Sequence, residues 1–199
     1  IARHGRRAYL SLMKVTDREY ALELDKNDPL AHFKSQFVIT DPQMCYLDGN
    51  SLGRLPKSTI TAITDFMNKE WGPEVVTGWS HWVDEAQPTG DLLGEAALGA
   101  APGQVLVCDT TSVNFYQLCL AAIHARPGRK TIITDAANFP TDRYILDGIA
   151  KQFGLKLVII ENEDPAIAQH ERITTEVLAP YLSDDVALVT LEVIQYRSG

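Results

Sequence analysis

Two rhythms divide the chain. Up to about residue 99, apolar side chains recur at helical spacing among charges. Thr16 to Phe37 reads as one or two short amphipathic helices broken at Asp28-Pro29. Pro56 opens a helix to about Glu70 with Ile60, Ile63 and Phe66 or Met67 on one face, and Asp84 to Gly99 is a further helical stretch. Between them lie a turn-rich loop, YLDGNSLGRLP (46–56), entered from a short strand at Cys45 to Leu47, and the tryptophan-rich WGPEVVTGWSHW (71–82). The second half changes to nearly continuous, β-branched apolar runs: VLVC (105–108), TIIT (131–134), LKLVII (155–160) and VALVTLEVI (186–194). These alternate with helical segments at about 112–125, 141–153 and 173–182. Such alternation predicts an α/β fold, a mostly parallel sheet covered by helices on both faces, because each crossover lays a helix over the sheet.

Composition narrows the function classes. The chain has 199 residues, 45% hydrophobic, enough to bury a core. Eighteen Lys and Arg against 26 Asp and Glu give a formal charge of −8, which speaks against general attraction to nucleic acid or an anionic membrane. The local basic run Arg3-His4-Gly5-Arg6-Arg7 reads as a solvated tail ahead of Met13. Three cysteines without CxxC spacing suit a reducing cytoplasm, so a cytoplasmic location is expected. No apolar run approaches the ~18 residues of a membrane span. The histidines show no ligand spacing and HExxH is absent, so no metal site is expected; the GxSxG of a serine hydrolase is absent too. The chain opens on Ile1 and stops just after an apolar run, and reads as part of a longer polypeptide.

In a parallel sheet, ligands bind beyond the carboxyl ends of the strands, which directs attention to the residues after each apolar run. CDTTSVN (108–114) starts a helix with hydroxyls: Thr111 and Ser112 could join free amides in an anion cradle, or could simply begin the helix. The segment from Asp135 to Asp142 offers Phe139, able to stack on a flat heteroaromatic ring, and Asp142, able to accept a hydrogen bond or cap a helix near Thr141. Taken alone, it reads first as a strand-to-helix turn with a core Phe. In YLDGNSLG the glycines permit close backbone approach, and Asn50 and Ser51 offer hydrogen bonds. Of the tryptophans, Trp71 continues a helix face and reads as core, while Trp79, between Gly78 and Ser80, is the better pocket residue.

The order and spacing of YLDGNSLGRLP (46–56), EWG (70–72) with Gly78-Trp79-Ser80, CDTTSVN (108–114), NFPTD (138–142) and QYRSG (195–199) resemble the N-terminal part of the kynureninase family. Those enzymes use pyridoxal 5'-phosphate on the aspartate aminotransferase fold of type I. The resemblance implies an incomplete fold of that type: residues 1–55 as an N-terminal arm and small-domain segment, and 56–199 as the first part of the large cofactor domain. It implies cofactor-binding roles for Thr111, Ser112, Phe139, Pro140, Thr141 and Asp142, with Ser51 and Trp79 near the substrate. It further implies hydrolysis of L-kynurenine, or its 3-hydroxy form, to an anthranilate and L-alanine, in tryptophan breakdown and the route to NAD, by a homodimer.

The departures matter. The family's Schiff-base lysine follows a strand in a Tyr-Lys step and its pyridine-nitrogen aspartate sits in an Asp-Leu-Ala-His-like segment; neither motif occurs here. Lysines 14, 26, 34, 57, 69, 130, 151 and 156 do not follow a strand in a cofactor-facing position, so no catalytic residue is assigned in this chain and the lysine is expected beyond Gly199. Gln195 stands where an Asn is usual. Half a cofactor site that does not turn over alone is the expectation. Two other readings compete: another type I lyase resembling cysteine desulfurases, and a non-catalytic fragment.

Overall fold

The computed structural model describes residues 14–161 and 173–197. The basic run Arg3 to Arg7, His170 and the closing Ser198-Gly199 lie outside the described residues. The chain divides into two compact units, Ile1–Val83 and Asp84–Gly199.

The first unit is helical. Helix α1 (Arg18–Asp25) and a 3-10 helix (Ala31–Gln36) are separated where expected, at Asp28-Pro29. Pro29 supplies no N–H, and Asp28 Oδ1 accepts from the Leu30 amide at 2.8 Å to close a local turn instead. Helix α2 (Lys57–Asp65) runs on into a π-helical turn (Phe66–Trp71). Its apolar face, with Ile60, Ile63, Phe66 and Met67, stays exposed. The expected strand at Cys45–Leu47 does not form. The segment belongs to a loop closed at its base by an antiparallel bridge between Phe37 and Pro56, where Val38 N donates to Leu55 O at 2.9 Å. Tyr46 pins that loop from inside: its hydroxyl lies 3.0 Å from the Asp48 carbonyl and 2.5 Å from that of Leu52, and the Arg54 guanidinium sits 5.1 Å from its ring centre.

The second unit carries the α/β architecture. Helix α3 (Ala86–Leu93) ends in a π-helical turn (Gly94–Leu98). Then come α4 (Thr111–His124), β1 (Thr131–Asp135), α5 (Pro140–Phe153), β2 (Lys156–Ile160), the short α6 (Thr175–Leu178) with a 3-10 turn (Ala179–Tyr181), and β3 (Val186–Val189). The strands form a three-stranded parallel sheet in the order β2-β1-β3. Central β1 is buried along its whole length. Alternation sends Ile132 to one face, among Cys119, Ile123, Leu146, Ile149 and Ala187, and Ile133 to the other, with Ile160, Val186 and the partly buried Val177 and Leu178. Helices thus cover both faces: α4 and α5 on one, α6 on the other.

Registers differ on the two sides of β1. Against β2 it runs unbroken from Thr131↔Lys156 to Asp135↔Ile160, whereas against β3 it slips between Thr131 and Ile132. The slip puts one extra residue in β3, which advances from Val186 to Leu188 while β1 advances from Thr131 to Ile132. Just before it, Asp185 accepts through its carbonyl from two successive amides, Lys130 at 2.9 Å and Thr131 at 3.0 Å. Its carboxylate adds bonds from the Thr131 hydroxyl at 2.6 Å and the Lys130 amide at 3.1 Å.

Two expected strands are corrected. VLVC (105–108) does not join the sheet, because its backbone groups are taken by α3: Gln87 Nε2 donates to Val105 O at 2.9 Å and Val107 N to Ala86 O at 3.3 Å. Gly90 makes this approach possible, since a Cβ there would run into the Val105 carbonyl. The run 186–194 is a strand only to Val189; one further bond, Thr190 N to Ile133 O at 3.0 Å, follows before the chain leaves the sheet. Gly90→Ala should therefore cost about 1–3 kcal/mol, the usual range for overpacking, and Asp185→Ala about 1–3 kcal/mol through the lost carboxylate bonds. Urea denaturation of each variant checks both; unchanged midpoints would contradict these roles.

Candidate functional site at the carboxyl end of the sheet

Topology brings the beginnings of two helices to one edge. Helix α5 starts directly beyond the carboxyl end of β1, and α4, which precedes β1 through a short turn and packs on the sheet, runs antiparallel to it. Both helices therefore present their N-termini on the side where the strands end. Their C-termini agree with this, since the His124 and Phe153 rings meet edge to face at 6.0 Å.

At the start of α4 the cap is Thr110, whose side chain accepts from the Val113 amide at 3.3 Å. The amides of Thr111 and Ser112, in the first turn, have no acceptor within their helix, and both residues carry hydroxyls. Thr111 is exposed and Ser112 half-buried. The loop leading in is held by Asn114, whose Nδ2 donates to Cys108 O at 2.7 Å. Asp109 turns the chain in the left-handed region, φ 45°, which a short polar side chain tolerates better than most. Dipole, amides and hydroxyls together suit a dianionic group.

At the start of α5, Phe139 occupies the cap position with an exposed ring, and Pro140 opens the helix with its preset φ and no N–H to satisfy. The apolar cap side chain accepts nothing from the first turn, and the Phe139 amide donates to Glu192 Oε1 at 3.1 Å. The ring itself meets Tyr196 edge to face at 5.2 Å. Thr141 and Asp142 are half-buried in the first turn. Burial holds the Asp142 carboxyl above the ordinary carboxylate range. Burial and then the neighbouring Asp142 charge push the Cys119 thiol up to about 11, which keeps it protonated. Beneath Phe139, Asp135 and Asn138 are almost fully buried; Asp135 Oδ1 accepts from the Ala137 amide at 3.0 Å and Asn138 Nδ2 donates to Thr134 Oγ1 at 2.8 Å. Burial raises the Asp135 carboxyl as well, offset in part by the Ala137 amide.

No family profile matches the chain. It is 34% identical over 189 residues to a kynureninase of Burkholderia pseudomallei, covering 92% of this chain and 42% of that protein. Kynureninases of Pseudomonas fluorescens (33% over 193 residues, 93% and 43%) and Deinococcus radiodurans (33% over 195 residues, 95% and 44%) match likewise. The curated relatives named here are kynureninases. The chain spans less than half the length of each kynureninase named here. Among solved structures, a C-DES mutant with glycine covalently linked to its PLP cofactor superimposes with a TM-score of 0.62, at 18% identity, over 85% of this chain and 42% of that one. That likeness carries the fold, a type I PLP-enzyme architecture.

Measured against the kynureninase-like motifs, Thr111, Ser112, Phe139, Pro140, Thr141 and Asp142 all fall on the second unit, at the helix beginnings just described. Ser51 and Trp79 belong to the first unit. Ser51 is exposed, and its hydroxyl donates to Asp48 Oδ1 at 2.7 Å within the pinned loop. Trp79 is 65% exposed. Trp71, expected in a core, is 58% exposed; Trp82 is half-buried, lying over Gly78 and donating to Glu70 Oε2 at 3.3 Å. The sequence reading missed Glu192, although a lone acid inside the apolar run VALVTLEVI was the signal available. Among the described residues no three His, Cys, Asp or Glu side chains are grouped to hold a metal, and no helix is long and apolar enough to cross a membrane.

The raised Asp142 carboxyl makes a pH prediction. A group whose folded pKa is raised lends stability that is complete below its unfolded value and lost as pH rises through the folded one. Asp142→Asn, a neutral isostere, should therefore melt above the wild type at pH 7, and the gap should close as pH falls below the ordinary carboxylate value of about 4. Thermal melts at both pH values decide it; a gap independent of pH would refute the burial effect.

Proposed function

We propose that this chain forms the phosphate-holding and ring-stacking part of a PLP site in a kynureninase-like hydrolase. The observation that carries the reading is the pairing, on one edge of a parallel sheet, of a hydroxyl-bearing helix start with an exposed aromatic ring, in a chain whose relatives are kynureninases.

The residues fit the cofactor. Open amides and hydroxyls at Thr111 and Ser112 match a phosphate, and the partly open face of Phe139 matches a pyridine ring. Thr141 and Asp142 stand in the same first turn as hydrogen-bonding partners, and Pro140 fixes the angle at which that turn leaves the ring. When bound, PLP supplies an electron sink for charge developing on the substrate carbons. This chain's residues would anchor and orient it, the Thr111 and Ser112 donors meeting negative charge while Phe139 limits tilt. Ser51 and Trp79 would face the substrate. In the net reaction L-kynurenine and water give anthranilate and L-alanine. The complete enzyme would work as a cytoplasmic homodimer, with residues outside this chain supplying the lysine.

The full-length polypeptide carrying this sequence should release anthranilate from L-kynurenine with PLP present, read by anthranilate fluorescence. Phe139→Ala and the double change Thr111→Ala, Ser112→Ala should each weaken PLP binding about tenfold or more, the scale of one or two charge-assisted bonds or an aromatic stack. No anthranilate, with sulfide released from L-cysteine instead, would overturn the substrate assignment; PLP affinity indifferent to these changes would overturn the site.

A further inference from the structure

Glu192 interrupts an apolar run, stands just past the end of β3, and has both carboxylate oxygens engaged. Oε1 accepts from the Phe139 amide at 3.1 Å. With the Gln195 amide oriented to satisfy both its ends, Gln195 Nε2 donates to Oε2 at 2.8 Å and to the Ala137 carbonyl at 3.1 Å; turned the other way, it reaches only Asp135 Oδ1, at 3.5 Å. Tyr196, the next residue, meets the Phe139 ring at 5.2 Å with an interplanar angle of 81°. The segment 192–196 therefore grips the β1-to-α5 turn at three points: the Ala137 carbonyl, the Phe139 amide and the Phe139 ring.

The need for this grip follows from local chemistry. Phe139 caps α5 without a polar side chain and Pro140 has no N–H. The helix start therefore holds Phe139 through its carbonyl alone, which accepts from the Asp142 amide at 3.0 Å and the Arg143 amide at 3.2 Å, and its amide and ring are held from outside the helix. A carboxylate accepting from a backbone amide is among the stronger hydrogen bonds available. An edge-to-face aromatic contact adds an orientation preference to the ring.

We infer that Glu192 is a positioning residue for Phe139: with Gln195 and Tyr196 it sets the plane in which that ring meets the cofactor. The inference rests on the stacking role proposed above, and its test separates the two. The first measurement needs no cofactor. In the full-length protein without added PLP, amide hydrogen exchange at Phe139 should speed up about tenfold or more in Glu192→Ala, while Glu192→Gln, which keeps an oxygen acceptor, stays within about threefold of wild type. Unchanged exchange in Glu192→Ala overturns the proposal. The second uses visible circular dichroism and equilibrium binding of PLP. Glu192→Ala should alter the dichroic band and weaken binding about fivefold or more, and Glu192→Gln should restore both. Faster exchange with an unaltered band and affinity would overturn the link to the cofactor, leaving Glu192 a structural brace. A wild-type protein that takes up no PLP would overturn the stacking role and that link together, while the exchange measurement would still decide whether Glu192 holds Phe139.

Discussion

The burial of β1 on both faces constrains everything around it. Five consecutive buried residues, two of them the isoleucines 132 and 133 pointing opposite ways, require apolar cover above and below the sheet. A parallel strand can obtain that cover only through crossovers that run helices across it. Once α4 and α5 lie on one face and α6 on the other, the position of the helix beginnings is no longer adjustable. Thr111 and Phe139 reach the same edge because the strand between them must be covered.

Much of this was legible in the sequence. The β-branched runs at 131–134, 155–160 and 186–194 announced the sheet, the last of them only as far as Val189, and the hydroxyls after Asp109 announced a capped helix start. What misled was apolar content without partners. VLVC at 105–108 is an unbroken apolar run, yet its Val105 carbonyl and Val107 amide are taken by Gln87 and Ala86 of α3 and not by a neighbouring strand. Pattern reports which side chains avoid water; it does not report which backbone groups are still unpaired when the segment arrives. Tyr46 gives the same lesson on a smaller scale, since its hydroxyl and ring hold a loop where a short strand was expected. The candidate site divides similarly. Phe139 and Asp142 could be picked out by position after a strand, whereas Glu192 lies 53 residues from the amide it holds, a distance along the chain over which no local pattern operates.

The two sides of β1 also differ in how firmly they are set. On the β2 side the register is unbroken, and α5 connects the strands directly. On the β3 side the register slips at its start, where β3 carries an extra residue just after the Asp185 bonds to Lys130 and Thr131, and at its far end the strand gives way to the 192–196 segment. The partner strand that is least regular is thus the one that supplies side chains to the candidate site. A strand continued through Glu192 would have spent its backbone groups on the ladder. Leaving the sheet after Thr190 frees the chain to turn back over the end of β1, where Glu192 and Gln195 reach residues 137 and 139.

Exposure at this edge then has a physical meaning. Phe139 and Tyr196 each keep 44% of their surface in water, even though they touch each other and sit beside a core that buries Ile132 and Ile133 completely. Apolar surface left open forgoes roughly 25 cal/mol per Å² of burial, so two neighbouring aromatic rings held partly open by hydrogen bonds at their base represent stabilisation that folding alone does not collect. A flat ligand closing over Phe139 would collect part of it. It would do so without first ordering the ring, because the Glu192 bond and the Tyr196 contact have already fixed the ring's approach in the folded chain.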